Sequence, residues 1–323
     1  MTFTDEIKQS LLKTHKDTNE ASLDVYIKNA SNLLRDVFGK DLNKEKNLNW
    51  IKETDKIEKY FDKMKRSIST RRNYYNALLE IGNAMNHPVD EIRKIRDKYA
   101  VEYESLDPLK SKKQEENFCG PKIINDKIDE YEKEIKKGND KNIKIWMILK
   151  LLRELNFRAE EIATLQFVKD YQPDTKRNMV IMDDDGWFIS KNKYKTSKKY
   201  GESIIPLEGE ILRDLKLYHK KFGDGYLFNI ARKTKEGDPI PMSSNNLSKL
   251  LIRWSNKELP EVVSKDGSKR DRNCSVNMII KVYQSNKYGK VKKELEKDSK
   301  NRGNNPNTMM KHYVSTKKAT GFY

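Results

Sequence analysis

Cysteine and histidine are scarce in this chain. Its 323 residues include two cysteines, Cys119 and Cys274, and four histidines, and none of them forms a CxxC or HxxxH pair. Thiolate and imidazole ligands of a structural metal usually come in such closely spaced pairs, and a disulfide framework needs more cysteines. The sequence therefore predicts neither a disulfide scaffold nor a metal site, and it favours a reducing, intracellular compartment.

Long apolar runs are also missing. The chain has no apolar run of about 18 residues, the length that spans a bilayer. Its N-terminus, MTFTDEIKQSLLKTHK, has the pattern of a charged amphipathic helix rather than of a signal peptide. No GxxxxGK[ST] loop is present, so nothing indicates ATP binding. These absences predict no membrane association and no nucleotide cofactor.

Acidic residues are outnumbered by basic ones. Lys and Arg total 66 against 49 Asp and Glu, which gives a formal net charge of +17 and a pI near 9.4. The basic residues are spread along the whole chain, and a field of this sign attracts a polyanion because each neutralised phosphate releases a counterion. Nucleic acid is the first candidate partner. A Lys-rich genome whose proteins drift basic explains the composition equally well.

The first 105 residues have helical patterns throughout. In SLDVYIKNASNLLRDVFG, apolar side chains recur with the 3.6-residue period between Ser22, a predicted N-cap, and Gly39, just past the end. STRRNYYNALLEIGNAM predicts another helix, capped by Ser69 or Thr70. We predict a helical domain over 1–105, followed by a linker over 106–118, where LDPLKSKKQEENF is charged and without a period.

The second predicted domain, 119–323, is also mainly helical. Three short β-type runs interrupt it at 180–182, 187–189 and 203–207, separated by an Asp-Gly turn and a Lys-rich loop. The simplest arrangement is a three-stranded antiparallel sheet within a helical domain. The predicted fold class is therefore mainly α with a small antiparallel sheet in the second of two domains.

Four segments could carry chemistry. They are the Arg158 segment LNFRAEEIATL, the Lys-bearing hairpin KTSK at 195–198, the basic cluster SKRDRN at 268–273, and GNNPNTMMKHY near the C-terminus. Each one alone is more often a solvated surface feature than a site. In this order, however, they resemble the sequence boxes of tyrosine recombinases, also called phage integrases, which are related to type IB topoisomerases.

The first two boxes align as follows. The family pattern Gly-Leu-Arg-x-x-Glu-Leu corresponds here to NFRAEEI, residues 156–162, which places Arg158 at the family's first arginine. The family's catalytic lysine lies in a β-hairpin before a Val-Pro-Leu strand, and KTSK precedes IPL here. Lys195 is the better match, and Lys198 is the alternative. Lys198 and Lys199 are also predicted DNA contacts.

The last two boxes depart from the family at two positions. His-x-Leu-Arg-His corresponds here to KRDRN, which gives Arg272 as the second arginine and Lys269 in place of the histidine, as in type IB topoisomerases. In the C-terminal box, Tyr313 keeps its nine-residue spacing, but Asn304 replaces the usual histidine. The resemblance extends over essentially the entire chain and implies a core-binding domain followed by a catalytic domain.

The resemblance implies a metal-free reaction without cofactors. Tyr313 attacks a phosphodiester of double-stranded DNA and forms a 3′-phosphotyrosine, while Arg158 and Arg272 hold the phosphoryl oxygens. Lys195 protonates the leaving 5′-oxygen, and Lys269 adds charge or assists proton movement. Asn304 can position a phosphate oxygen by a hydrogen bond, but it cannot shuttle a proton.

The implied function is site-specific recombination or integration for a virus or mobile element. Recombinases of this family act as homo-tetramers on paired DNA sites, in a prokaryotic cytoplasm or in a nucleus or viral factory. Three alternatives stay open: a monomeric type IB topoisomerase-like enzyme, a decayed recombinase that only binds DNA, and an architectural basic protein. Arg71 and Arg72, at the start of a predicted helix, either contact phosphates or form a solvated face.

Overall fold

The computed structural model describes residues 2–16, 18, 20–106, 112–171, 177–183, 186–194, 197–263 and 267–301, without the side chains of 198–199, 231–232 and 299–301. The chain divides into two compact units, Met1–Pro108 and Leu109–Tyr323. Each unit has its own apolar core.

The first unit is helical. It consists of α1 (Phe3–Thr14), α2 (Glu20–Phe38), α3 (Thr54–Lys63), α4 (Ile68–Ala84) and α5 (Asp90–Ser105), with short 3₁₀ turns at Leu42–Lys44 and Asn49–Lys52. The apolar stripe of each helix faces the common core, as the 3.6-residue period predicts. The largest fully buried side chains include Ile7, Leu11, Leu23, Phe61 and Tyr75.

Two helix starts differ from the sequence prediction. Helix α2 begins at Glu20, ahead of the predicted cap Ser22. Helix α4 is capped by Ser67, which has an extended backbone and whose Oγ accepts a hydrogen bond from the Thr70 amide at 3.3 Å. The predicted caps Ser69 and Thr70 lie inside the first turn instead. Several Ser and Thr residues close together can all serve as caps, and the sequence does not show which one has the extended backbone.

The second unit surrounds one buried helix. Its helices are α6 (Lys112–Asn117), α7 (Pro121–Lys136), α8 (Ile143–Leu155), α9 (Ala159–Ala163), α10 (Ser197–Tyr200), α11 (Gly209–Phe222), α12 (Ser244–Glu258) and α13 (Val276–Asn301). Helix α8 is buried on nearly every side, which fits its apolar sequence and makes it the centre of the core. Within the described ranges, no helix is long and apolar enough to cross a membrane.

The sheet of this unit is mixed and larger than the sequence predicts. Its five strands are β1 (Leu165–Val168), β2 (Asn178–Asp183), β3 (Gly186–Lys191), β4 (Ser203–Pro206) and β5 (Gly225–Tyr226), in the order β4-β3-β2-β1-β5. The antiparallel β2-β3-β4 meander matches the three predicted strands. Strand β1 pairs parallel to β2. Parallel strands are joined by a crossover connection rather than a tight turn, so the sequence contains no hairpin signal for this pair. The fold is thus mainly α with a small sheet in the second unit.

Two small ladders complete the unit. They are β6 (Asn229–Lys233) with β7 (Pro239–Pro241), and β8 (Val262–Val263) with β9 (Lys269–Arg270). The basic cluster at 268–273 precedes the last helix: Lys269 and Arg270 pair in β9, and α13 starts only at Val276. The predicted linker 106–118 contains α6, and the side chain of Asn117 at its end is buried.

Candidate active site

Arg158 stands at the N-terminus of α9, directly after the buried Phe157. Its Nη1 donates to Glu161 Oε1 at 3.3 Å, and its main-chain N–H donates to Glu161 Oε2 at 2.9 Å. The Glu161 side chain is only 4% exposed, whereas that of Arg158 is 54% exposed. A buried carboxylate therefore holds one amino group of the guanidinium while just over half of the side chain is exposed, a placement that suits an anion-binding arginine.

Lys191 is a second cation at this carboxylate, and no sequence pattern pointed to it. It ends strand β3 with its Nζ 3.7 Å from Glu161 Oε1. The ammonium also lies over the rings of Phe157, at 5.2 Å from the centroid, and Tyr194, at 4.8 Å. In the sequence, Lys191 is one of several lysines near a turn, and only the strand register brings it to α9.

The β3–β4 hairpin carries the predicted general acid. Lys195 lies outside the described residues; the backbone of Lys198 and Lys199 forms part of α10, and their side chains are not described. The neck of the hairpin is well organised. Tyr194 Oη donates to the Gly201 carbonyl at 2.8 Å, across the base of the loop.

Glu202 closes the same neck. Its carboxylate accepts from Tyr171 Oη at 2.6 Å, from Asn192 Nδ2 at 3.5 Å and from Ser190 Oγ. Partial burial favours the neutral acid, but the three donors outweigh it and hold the pKa of Glu202 below its usual range. The hairpin neck is therefore fastened by an ionised carboxylate.

This arrangement predicts that the hairpin neck loosens in acid. A carboxyl group whose pKa is lowered by folding contributes stability above its ordinary pKa of about 4.3, and this contribution is lost as the pH falls through the folded-state pKa. We expect amides of the neck, 190–194 and 201–203, to lose hydrogen-exchange protection below about pH 4, after correction for intrinsic rates. In Glu202→Gln, protection should be lower near neutral pH and should show no such step. An unmutated protein without the acid step would contradict the assignment.

Arg272 lies in the loop between β9 and α13. Its Nη1 donates to the carbonyl oxygens of Glu116 and Phe118, both at 3.1 Å, and its Nε donates to the Pro260 carbonyl at 3.1 Å. Among the described residues, no partner accepts a hydrogen bond from Nη2. Three main-chain acceptors thus fix the guanidinium and leave one amino group for a ligand.

The end of α6 holds the rest of this loop. The buried Asn117 accepts at Oδ1 from the Asn273 amide and from Arg270 Nη1, both at 3.0 Å. Arg270 also forms an ion pair with Glu116 at 2.6 Å. These α6 residues fall within the predicted linker because they show no apolar period. Their role depends on partners more than 150 positions further along the chain.

Helix α12 connects the two arginine segments. It packs against α9, which carries Arg158 at its start. On the same helix, the buried Ser255 donates to the Arg272 carbonyl at 2.8 Å and accepts from the Cys274 amide at 2.8 Å. Helix α12 therefore packs against the helix that carries Arg158 and is hydrogen-bonded to the main chain of Arg272.

The remaining predicted site residues are placed as follows. Lys269 is exposed on β9, three residues before Arg272 in the sequence. Asn304 and Tyr313 lie outside the described residues. Within the described ranges, no group of three or more His, Cys, Asp or Glu side chains could hold a metal ion.

The two predicted DNA contacts of the first unit differ in their surroundings. Arg71 is 15% exposed and is bound by the Arg66 carbonyl at 3.0 Å, Tyr99 Oη at 3.2 Å and Asp62 Oδ1 at 2.7 Å. The guanidinium of Arg72 stacks on the Tyr103 ring at 4.2 Å, and its Nε has no hydrogen-bond partner among the described residues. The contacts of Arg71 favour a role within the unit, whereas Arg72 commits fewer donors to the protein.

Comparisons with known proteins bear on the fold. No protein-family model matches the sequence, and no curated protein matches it. Two solved structures of a Tn1549 transposon integrase fragment do match: one, with a tyrosine-to-phenylalanine substitution, is in complex with transposon right-end DNA, and the other with circular-intermediate DNA. Each aligns over 98% of this chain and 96% of its own, with 11% identity and a TM-score of 0.50. The likeness confirms the resemblance to recombinases at the level of the fold.

Proposed function

We propose that this chain is a site-specific DNA recombinase or integrase that cleaves and rejoins DNA strands through a phosphotyrosine at Tyr313. The observation that carries the proposal is the common anchoring of the Arg158 and Arg272 segments on α12, within a fold shared with an integrase solved on DNA. Arg158 pairs with the Glu161 carboxylate through Nη1, and Arg272 donates to carbonyl oxygens. Each keeps donor groups for an anion.

In the proposed first step, the Tyr313 oxygen attacks a backbone phosphorus. A bond forms between the tyrosine oxygen and phosphorus, the bond between phosphorus and the 5′-oxygen breaks, and the phenol proton passes to solvent. The phosphodiester energy is kept in the 3′-phosphotyrosine, so rejoining needs no ATP. Attack by a 5′-hydroxyl from another strand reverses the step and completes strand exchange.

The two arginines would stabilise the transition state. Negative charge builds on the nonbridging oxygens of the pentacoordinate phosphorus, and planar guanidinium groups can donate paired hydrogen bonds to them. Arg158 is supported by the buried Glu161, and Arg272 by three carbonyl groups, so both would need little reorganisation during the reaction. No metal ion is required for this charge stabilisation.

Proton delivery is assigned to the hairpin. Lys195 would donate a proton to the departing 5′-oxygen, with Lys198 as the alternative donor. Lys269 would add positive charge or assist proton movement, and Asn304 would position a phosphate oxygen by a hydrogen bond. Arg72, Lys198 and Lys199 would contact the DNA backbone, and the net charge of +17 would strengthen binding over the whole length.

We further propose that the protein acts on double-stranded DNA in the cell as a homo-tetramer that joins paired sites of a virus or mobile element. A type IB topoisomerase-like monomer is the second candidate, which the lysine at position 269 favours. The two activities share their first chemical step. They differ in whether one DNA site is resealed or two sites are exchanged.

The test uses the full chain and nicked duplexes made from the flanks of its own element. Because the short strand beyond the nick diffuses away, cleavage should trap a protein–DNA adduct that resists denaturation. Exchange between two sites would support the recombinase, and relaxation of supercoiled plasmid without exchange would support the topoisomerase. Salt-sensitive DNA binding without any adduct would contradict both and leave a DNA-binding protein.

A further inference from the structure

Asn178 is a fully buried polar residue at the start of β2. Its Nδ2 donates to the Lys193 carbonyl at 2.9 Å, to Thr164 Oγ1 at 3.3 Å and to the Glu161 carbonyl at 3.4 Å. Its Oδ1 accepts from the amides of Lys193, at 2.8 Å, and Asn192, at 3.1 Å. The two N–H groups are shared among three acceptors, so the hydrogen-bonding capacity of the side chain is fully used.

These hydrogen bonds lie at the end of the β2–β3 ladder. Asn178 is paired with Lys191 at the last rung between β2 and β3, and the hairpin begins at the next residue. The amides of Asn192 and Lys193 have left the ladder and need new acceptors, and one side-chain oxygen supplies both. The following residues of β2, Met179, Val180 and Ile181, are apolar and buried. Asn178 is the buried polar residue of this strand, and its polar atoms bond to the base of the hairpin.

The same side chain joins this base to the Arg158 helix. Thr164 is the C-cap of α9, and Glu161 of α9 holds the Arg158 guanidinium through its carboxylate. Asn178 thus ties the first two hairpin residues to the element that positions an anion-binding arginine. Lys195 follows Lys193 by two residues in the sequence.

We propose that Asn178 is a positioning residue for proton donation, which fixes the base of the hairpin so that Lys195 reaches the leaving 5′-oxygen. The inference rests on the proposed function. It assigns a new role to a residue outside the four sequence boxes, one that acts through Lys195 without touching the DNA. Loss of Asn178 should therefore weaken proton delivery specifically and leave nucleophilic attack and phosphate binding largely intact.

A change of leaving group distinguishes a loss of proton donation from a general loss of active-site structure. Cleavage is measured on the nicked duplex with an ordinary 5′-oxygen, and on one with a bridging 5′-sulfur at the scissile position. Sulfur leaves as a thiolate and needs no proton, since thiols are far more acidic than alcohols. We expect Asn178→Ala to slow oxygen-substrate cleavage by about 10²–10³-fold, as for loss of a general acid, and sulfur-substrate cleavage by only a few-fold.

Two controls keep the experiment decisive. Asn125→Ala removes one hydrogen bond, from Tyr283 Oη at 3.0 Å, elsewhere in the same unit, and it should cleave both substrates at the unmutated rate. In a Lys195→Ala background, Asn178→Ala should cause no further loss on the oxygen substrate, because the two changes remove the same step. If Asn178→Ala does not fold, Asn178→Asp, which keeps both acceptor bonds and loses the donors, is measured by the same criteria.

The outcomes are distinct. Equal slowing of both substrates, an unchanged rate on both, or a full additional loss in the Lys195→Ala background would each overturn the role of Asn178 and leave the proposed function standing. Failure of the unmutated protein to cleave either substrate would instead overturn the proposed function and this inference with it. Selective slowing of the oxygen substrate, absent in the double variant, would support the assignment.

Discussion

Replacing Tyr313 with phenylalanine is expected to abolish the covalent adduct on nicked DNA. Phenylalanine keeps the ring but lacks the oxygen that forms the bond to phosphorus. No other group in the proposed reaction supplies a nucleophile in its place. DNA affinity should stay within about two-fold, because the hydroxyl is one group in an interface dominated by basic side chains. Denaturing gel electrophoresis measures the adduct, and a mobility shift at fixed salt measures the affinity.

Tyr288→Phe is the matched control. This tyrosine is half-exposed on α13, so its hydroxyl is accessible to solvent as a nucleophile would be. The variant should form the adduct at the unmutated rate. Persistence of the adduct in Tyr313→Phe, or its loss in Tyr288→Phe, would show that the sequence box had assigned the nucleophile wrongly.

The second large effect is expected from Lys150→Met. Lys150 is 1% exposed in α8, and its ammonium group lies 2.7 Å from Asp214 Oδ2, 3.0 Å from Glu210 Oε2 and 3.9 Å from Glu132 Oε2. The contact with Glu210 has hydrogen-bond geometry, whereas the one with Asp214 is an ion pair without it. The hydrogen bond from Lys150 holds the pKa of Glu210 below its usual range. Lys150 therefore compensates the buried Asp214 and also pairs with Glu132 and Glu210, which have the further partners Lys136 and Arg153.

Removing this cation leaves Asp214, itself 2% exposed, as a buried charge whose remaining cationic partner among the described residues is its neighbour Arg213 at 3.2 Å. Breaking a buried ion pair from one side costs about 3–5 kcal/mol, a large part of the stability of a domain. Chemical denaturation followed by tryptophan fluorescence should show this loss in the second unit, which contains Trp146 and Trp254.

Two variants test the cause. Lys144→Met removes an exposed lysine from the same helix and should change the free energy of unfolding by no more than about 0.5 kcal/mol. Adding Asp214→Asn to Lys150→Met removes the uncompensated charge and should restore most of the stability. A loss below about 1 kcal/mol in Lys150→Met would mean that water or rearranged neighbours solvate Asp214.

Local patterns in the sequence predicted much of the fold. The 3.6-residue period gave the helices of the first unit, and the Asp-Gly turn with its flanking β-type runs gave the β2-β3-β4 meander. These signals lie within a few residues of each other. Strand β1 was missed because its four residues pair through a parallel crossover. The small ladder at Lys269–Arg270 was missed because its partner strand is only two residues long.

The candidate site was predicted less evenly. Arg158 was found through its box, and Glu161 belongs to the same pattern, so their contact follows from a three-residue spacing on one helical turn. Lys191, Asn178 and Asn117 were not found. Each acts through residues that are distant in sequence or through strand register, and an isolated lysine or asparagine has no local feature that separates this role from a surface position.

The central claim is that Tyr313 bonds covalently to DNA. The adduct from the nicked duplex can be purified under denaturing conditions, digested with nuclease and trypsin, and sequenced by mass spectrometry. We predict that the tryptic peptide HYVSTK, residues 312–317, carries a nucleotide through a phosphate on its tyrosine. A nucleotide attached to any other residue, or no adduct from an unmutated protein that binds the same DNA, would contradict it.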